Sequence, residues 1–134
     1  LQSLQSLQSL QSDYADAVEK IKRQYDDILI YCDPPYNHSN CGKYKDFDSE
    51  RFYEWARKQD NIYVSEYSMP DDFIAVASKE KTVLSAANSN SIKATEYLFT
   101  NEKTYNKLSE QDKMKIKLGT GQQMTLFDFI GASA

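Results

Sequence analysis

The stretch that decides the fold is Ile28-Leu29-Ile30-Tyr31-Cys32-Asp33-Pro34-Pro35-Tyr36. Its first half is a continuous apolar run with β-branched residues, which is typical of a strand buried on both faces in a parallel sheet. The prolines end this strand, because proline lacks a backbone N–H and fixes its own φ at about −65°. The sequence therefore predicts a buried strand that runs directly into a rigid tetrapeptide, Asp33-Pro34-Pro35-Tyr36.

This tetrapeptide stands where open α/β sheets bind ligands, beyond the carboxyl end of a strand. The Asp33 carboxylate and the Pro34 carbonyl form a rim of hydrogen-bond acceptors, and Tyr36 places an aromatic ring beside them. Two acceptors can hold both N–H bonds of an exocyclic amine and free its lone pair, while the ring stacks on a base that has left the duplex. The alternative is a simple strand-ending turn in which Asp33 and Tyr36 are merely exposed.

The flanking residues predict one parallel crossover. A helix begins at Asp48 or Ser49 and continues to about Gln59, and residues 62–65 form a second strand. A strand, a helix and a second strand in about 40 residues make a βαβ unit. Upstream, the apolar spacing over residues 14–25 predicts a further helix that begins after Ser12 and Asp13.

The residues beyond Pro70 predict antiparallel strands at one edge of the sheet. Apolar, β-rich runs occupy residues 73–77 and 82–86, a turn follows at 88–91, and a short strand is expected at 97–99. Strands that follow one another without helices are typically antiparallel. Residues 101–118 are polar and lysine-rich, which indicates a helix or a loose arm.

The composition of the 134 residues limits the class of protein. The length fits one domain or part of one. A formal net charge of −4 argues against binding nucleic acid by bulk electrostatics. A hydrophobic fraction of 40% excludes wholesale disorder. No apolar run approaches the ~18 residues of a membrane span, and with few cysteines a reducing cytoplasm is the expected location.

Several motifs, in the right order, resemble the D12 class of adenine-specific DNA methyltransferases, found in restriction–modification systems and phages. They are Ile30–Tyr36, Tyr44-x-x-Phe47-Asp48, Phe52-Tyr53-x-Trp55 and Val64-Ser65-Glu66-Tyr67-x-Met69-Pro70. The resemblance covers roughly residues 13–103. It implies a Rossmann-like, S-adenosylmethionine-dependent methyltransferase fold and methyl transfer from that cofactor to adenine N6 in double-stranded DNA.

The resemblance also implies roles for particular residues. The catalytic tetrapeptide is Asp33, Pro34, Pro35 and Tyr36. Within it, Asp33 and Pro34 would hold the N6 amine, Asp33 would also lie close to the cofactor, and Tyr36 would stack on the flipped adenine. Phe47 matches an aromatic position of the cofactor pocket. Tyr44 and Ser65 would help to bind the target base.

Two parts of the family's pattern are missing, which predicts a partial fold. Relatives carry a Phe-x-Gly-x-Gly turn for the cofactor and a region that recognises the DNA target. Here Gly119-Thr120-Gly121 follows a lysine-rich segment and is better interpreted as a hinge. We therefore expect residues 13–118 to be the carboxyl-terminal half of a catalytic domain. A chain that begins at Leu1 indicates missing upstream sequence, and the half-sheet predicts completion by a second segment or oligomerisation.

Two other functions remain open at this point. One is methylation of a different exocyclic or amide nitrogen, such as an RNA guanine or a protein glutamine, since related tetrapeptides serve those reactions. The other is an inactive remnant that acts as an interaction module through its ends. The missing cofactor glycines favour the remnant for the isolated chain, whereas the intact tetrapeptide favours the enzyme.

The two ends of the chain carry interaction hypotheses. Residues 1–12 repeat Leu-Gln-Ser, which predicts a low-complexity linker, with a docking helix as the alternative. The tail, 119–134, contains Gln123-Met124-Thr125-Leu126-Phe127, which resembles the pentapeptide by which bacterial proteins bind the sliding clamp of replication. Gln123, Leu126 and Phe127 would make that contact. Packing of the tail's apolar residues on the chain's own sheet is the favoured alternative.

A metal site is not expected. Cys32, His38 and Cys41 lie close together in sequence, but their spacing matches none of the common structural zinc patterns. Cys32 also belongs to the predicted strand and would point into its packing. We therefore expect a function without a bound metal.

Overall fold

The computed structural model of the chain describes residues 13–35, 47–84 and 91–118. Its elements, in chain order, are α1 (Tyr14–Lys22), β1 (Ile30–Cys32), α2 (Ser49–Arg57), β2 (Ile62–Glu66), β3 (Ile74–Leu84), β4 (Ser91–Thr100), α3 (Glu102–Asn106) and α4 (Glu110–Leu118). The helices in these ranges are short, and none has both the length and the apolar character that crossing a bilayer requires.

The four described strands form one mixed sheet with the order β1-β2-β4-β3. β1 and β2 are parallel, and Cys32 pairs with Val64. β4 is antiparallel to both of its neighbours, and Tyr97 pairs with the last residue of β2, Glu66. The structure thus confirms the parallel crossover and the antiparallel strands at the sheet's edge, and the fold is mixed α/β.

Helix α2 packs on one face of the sheet. It begins where predicted, because the Asp48 carboxylate accepts a hydrogen bond from the backbone N–H of Arg51 at 3.1 Å. Its buried face carries Phe52 and Ala56, which belong with Val64 to the larger hydrophobic cluster. The apolar side of α2 therefore fixes the crossover against the parallel strands.

The opposite face of the sheet is covered by the last part of the chain. A smaller cluster joins Tyr63, Val76 and Leu98 to Ile116 of α4. The lysine-rich segment 101–118, predicted as a helix or a loose arm, is thus two helices, the second of which packs on the sheet. Ile116 is the residue through which the mostly polar α4 joins this cluster.

The prediction that the first strand is buried on both faces is wrong. Ile30 is 7% exposed, but Tyr31 is 47% exposed and Leu29, just before the strand, is 46% exposed. β1 lies at the end of the sheet, and β2 is its only neighbour among the described strands. The residues that pack against Ile30 cover one face of β1, and the Tyr31 face meets solvent.

Three other features of the elements differ from the prediction. Helix α1 ends at Lys22 rather than at Tyr25. Residues 74–77 and 82–84 of the two predicted runs belong to one strand, β3, and the strand predicted at 97–99 begins at Ser91. The polar residues 78–81 between the two runs pair through their backbone with β4. A break in the apolar pattern therefore does not end the strand.

Candidate active site

The sequence-predicted tetrapeptide begins at the carboxyl edge of the parallel strands. Cys32 is the last residue of β1, and Asp33, Pro34 and Pro35 follow it without regular structure. Asp33 is exposed, and the prolines are half-buried. Parallel strands end at the same edge of a sheet, so the end of β2 lies beside this segment. The structure therefore places the Asp33 carboxylate where α/β proteins bind ligands.

Glu66, the last residue of β2, brings a second carboxyl group to this edge. The residue is only 4% exposed, and its Oε1 accepts a hydrogen bond from the backbone N–H of Tyr67 at 2.9 Å. Burial raises the pKa of Glu66, the Tyr67 bond opposes that rise, and the charges of Asp33 and Glu96 add to it. Asp33 and Glu66 therefore interact electrostatically across the ends of adjacent strands.

Sequence reasoning did not single out Glu66 as a site residue. The signal that could have revealed it is a carboxylate that ends the otherwise apolar strand Ile62–Glu66. Charged residues are rarely buried without a partner or a function. Glu66 follows Ser65 in the family motif, but its burial cannot be read from the sequence, because its partner in the sheet is the distant Tyr97.

Ser65, predicted to bind the target base, bonds to a neighbour in β1. Its hydroxyl oxygen lies 2.7 Å from the Tyr31 hydroxyl oxygen. Because successive strand residues point to opposite faces, the side chains of Ser65 and Glu66 project from different faces of the sheet. The structure thus joins Ser65 to the exposed ring of Tyr31, and its contact with a base stays a prediction.

Phe47, predicted to line the cofactor pocket, is half-buried in an aromatic group. Its ring centroid lies 5.8 Å from that of Phe52 and 6.4 Å from that of Tyr14. The residue packs against the larger cluster, as Cys32 does. Phe47 therefore helps to attach the residues before α2 to the larger cluster, and its contact with a cofactor stays a prediction.

Cys32 does not look like a metal ligand. It is half-buried and packs against the larger cluster, and burial raises the pKa of its thiol to about 12. Among the described residues there is no group of three potential ligands that could hold a metal ion. His38 and Cys41 lie outside those residues, so the proposed three-residue cluster is not described as a whole.

A cleft of about 680 Å³ lies elsewhere on the molecule. Its lining includes Ile28 and Asn61, which precede the two parallel strands, and Thr104 of α3. It is therefore at the amino end of β1 and β2, opposite Asp33. Among the described residues, none of the predicted site residues lines it, and it carries no part of the proposed chemistry.

Other predicted contacts fall outside the described residues. These are the base-stacking Tyr36, the loop residue Tyr44, and the clamp-binding set Gln123, Leu126 and Phe127. The Leu-Gln-Ser repeat and the hinge glycines also lie outside. All of these assignments stay predictions, and the described site consists of Asp33 to Pro35 with the end of β2.

Comparison with known proteins identifies the family. No curated protein and no solved structure gives a significant match. A family model described as D12 class N6 adenine-specific DNA methyltransferase matches residues 1–116, which include the crossover, the sheet and both of its covering layers. The chain therefore belongs to the D12 class N6 adenine-specific DNA methyltransferase family.

Proposed function

We propose that this chain supplies the base-binding and methyl-transfer residues of an S-adenosylmethionine-dependent DNA adenine N6-methyltransferase. The observation that carries the proposal is the position of Asp33 and Pro34 at the carboxyl edge of a parallel crossover. In this proposal the four described strands are one part of a Rossmann-like sheet. Family membership supports adenine in DNA over an RNA guanine or a protein glutamine.

The proposed chemistry depends on the acceptors beside the amine. The lone pair of adenine N6 is delocalised into the ring, which makes the nitrogen a poor nucleophile. The Asp33 carboxylate and the Pro34 carbonyl would accept hydrogen bonds from its two N–H groups and move the nitrogen toward tetrahedral geometry. As the nitrogen forms its bond to carbon, positive charge develops on it, and both acceptors stabilise that charge. The nitrogen then loses one proton to solvent.

S-adenosylmethionine would supply the methyl group, which it carries on a positively charged sulfur. The sulfur would keep the electron pair of the carbon–sulfur bond when the methyl group is transferred. The described edge presents the exposed Asp33 carboxylate to a cation, with the buried carboxyl group of Glu66 beside it. The two interact closely enough for Asp33 to add to the rise that burial causes in the pKa of Glu66. Asp33 and Phe47 are the residues that would hold the cofactor.

The proposal is tested by calorimetric titration of the full 134-residue chain with S-adenosylmethionine. We expect a binding heat for the unmodified chain and roughly 10–100-fold weaker binding for Asp33→Ala, the loss expected for one charge-assisted interaction. Asp27→Ala is the matched control, because Asp27 is also exposed but lies before β1, at the opposite edge. Its affinity should equal that of the unmodified chain.

Methyl transfer provides the second measurement. A duplex that contains adenine should accept label from the cofactor, and the same duplex with N6-methyladenine at every adenine should not. The absence of any binding heat would refute cofactor binding by this chain and favour the inactive interaction module. Equal binding by the Asp33 and Asp27 variants would remove Asp33 from the site.

A further inference from the structure

The hairpin of β3 and β4 extends well past the end of β2. The last pair between β2 and β4 joins Glu66 to Tyr97, but β3 and β4 remain paired from Ser78 and Tyr97 out to Leu84 and Ser91. We call residues 78–84 and 91–96 the distal ribbon. At about 3.3 Å per residue, its strands continue for about 20 Å beyond the sheet.

The distal ribbon extends on the same side as the candidate active site. β4 is antiparallel to β2, so the residues before Tyr97 lie beyond the carboxyl end of β2. β1 is parallel to β2 and ends at the same edge, where Asp33 follows it. A DNA duplex that presents an adenine to Asp33 must therefore pass near the distal ribbon.

The ribbon carries exposed cations on both of its faces. Lys79 pairs opposite Glu96, and Lys93 pairs opposite Thr82. Because strand residues alternate between faces, these positions place Lys79 and Lys93 on opposite sides of the ribbon. Both lysines are exposed, and within the described part of the chain neither forms a salt bridge.

The remaining charges of the ribbon offset part of this positive charge. Lys81 forms an ion pair with Glu96 across the strands, and Glu80 is exposed. Three lysines thus stand against two glutamates, in a chain whose net charge is −4. The ribbon therefore brings a local positive excess next to the candidate active site of an acidic protein.

We propose that the distal ribbon is a DNA-contacting arm that enters the groove beside the target adenine and places Lys79 and Lys93 against the two phosphate backbones. A two-stranded ribbon fits the major groove, which is about 12 Å wide. Cations on opposite faces suit a position between two backbones better than flat contact with one. This inference rests on the proposed function, because it takes DNA as the substrate.

The test compares two double variants that remove the same charge. Lys79→Gln with Lys93→Gln alters the distal ribbon. Lys58→Gln with Lys115→Gln alters exposed lysines at the end of α2 and in α4. Affinity for a fluorescent duplex is measured by anisotropy with the full chain at several salt concentrations. The slope of log affinity against log salt is negative, and each lost phosphate contact reduces its magnitude by about 0.9. We therefore expect the magnitude to fall by about 1.8 for the ribbon variant and to stay almost unchanged for the control.

A gain of charge provides a second variant. Thr95→Lys adds a cation on the Lys93 face of the distal ribbon, and the magnitude of the negative salt slope should then increase by about 0.9. Equal slopes for the ribbon and control variants, or no binding of duplex by the unmodified chain, would overturn the inference. Titration with S-adenosylmethionine separates the two proposals. The ribbon variant should give the same binding heat as the unmodified chain. The proposed function is contradicted only if the unmodified chain itself gives no binding heat.

Discussion

At the scale of single residues, Glu66 combines a buried carboxyl group with a position beside Asp33. Burial raises its pKa above the ordinary value of 4.5, and the neighbouring carboxylates add to this rise. A carboxyl group with a raised pKa binds its proton more tightly in the folded chain than in the unfolded chain. Its contribution to stability is therefore complete below pH 4.5 and is lost as the pH rises through the folded-state pKa.

Replacement of Glu66 by Gln should stabilise the fold at neutral pH. The amide oxygen can still accept the Tyr67 N–H, while the cost of a buried charge disappears. Each unit by which folding raises the pKa corresponds to about 1.4 kcal/mol at pH 7. We expect urea denaturation to show a higher free energy of unfolding for Glu66→Gln at pH 7, and a difference that shrinks toward pH 4.

Glu50→Gln is the matched control, because Glu50 is exposed in the first turn of α2. Removal of that charge should change stability by no more than a few tenths of a kcal/mol and in the destabilising direction, since negative charge favours a helix N-terminus. Lower stability of Glu66→Gln at pH 7 would show that the carboxylate of Glu66 is held by favourable interactions, and the linkage argument would then be wrong.

At the scale of elements, Asn101 connects the crossover helix to the last part of the chain. Its side-chain Nδ2 donates to the backbone carbonyls of Ala56 at 2.8 Å and Gln59 at 2.7 Å. Its Oδ1 accepts the backbone N–H of Thr104 at 2.8 Å and so caps α3. One amide, 2% exposed, thus fixes the end of α2 and the start of α3 to each other.

Asn101→Ala should destabilise the chain by about 2–4 kcal/mol. The loss combines a helix cap, worth about 1 kcal/mol, with buried carbonyls that no longer have a donor. Urea denaturation followed by circular dichroism gives this difference. Asn106→Ala, at an exposed position of α3, is the control and should cost less than about 0.5 kcal/mol. Equal effects of the two variants would show that the Asn101 network does not stabilise the fold.

The sequence could predict elements whose local signals agree with their packing. Asp48 followed by Phe52 and Ala56 gives both a cap and an apolar face, and α2 begins at the predicted residue. The first and last residues of β3 and β4 could not be predicted in this way. The outer half of their hairpin pairs through the backbone beyond the hydrophobic clusters, so the side chains there need no apolar pattern.

The same distinction applies to the candidate active site. The position of Asp33 followed from the proline pair and from the parallel crossover, both of which are local signals. The burial of Glu66 depends on Tyr97, which pairs with it from 31 residues away in the chain. The exposure of Tyr31 depends on which elements cover β1. Contacts between distant residues of this kind have no signature in a single sequence.

At the scale of the whole molecule, the two ends of the sheet differ. The β3 end is part of a long hairpin, whereas β1 has three residues and a single described neighbour, β2. Leu29 and Tyr31 are each nearly half-exposed beside it. A free strand edge with exposed apolar side chains promotes pairing between chains. Self-association of the isolated chain through β1 therefore stays our prediction.

Leu29→Lys should weaken that association, because a lysine at a strand edge opposes pairing between chains. Sedimentation velocity over a hundredfold range of concentration should show the mass of the unmodified chain rising with concentration, and that of Leu29→Lys rising much less. Leu118→Lys is the control, since Leu118 is 75% exposed at the end of α4, away from the strand edge. If the two substitutions weaken association equally, exposed leucines in general drive assembly, and the edge of β1 has no special role. A monomeric unmodified chain at all concentrations would mean that the edge of β1 is already protected in solution.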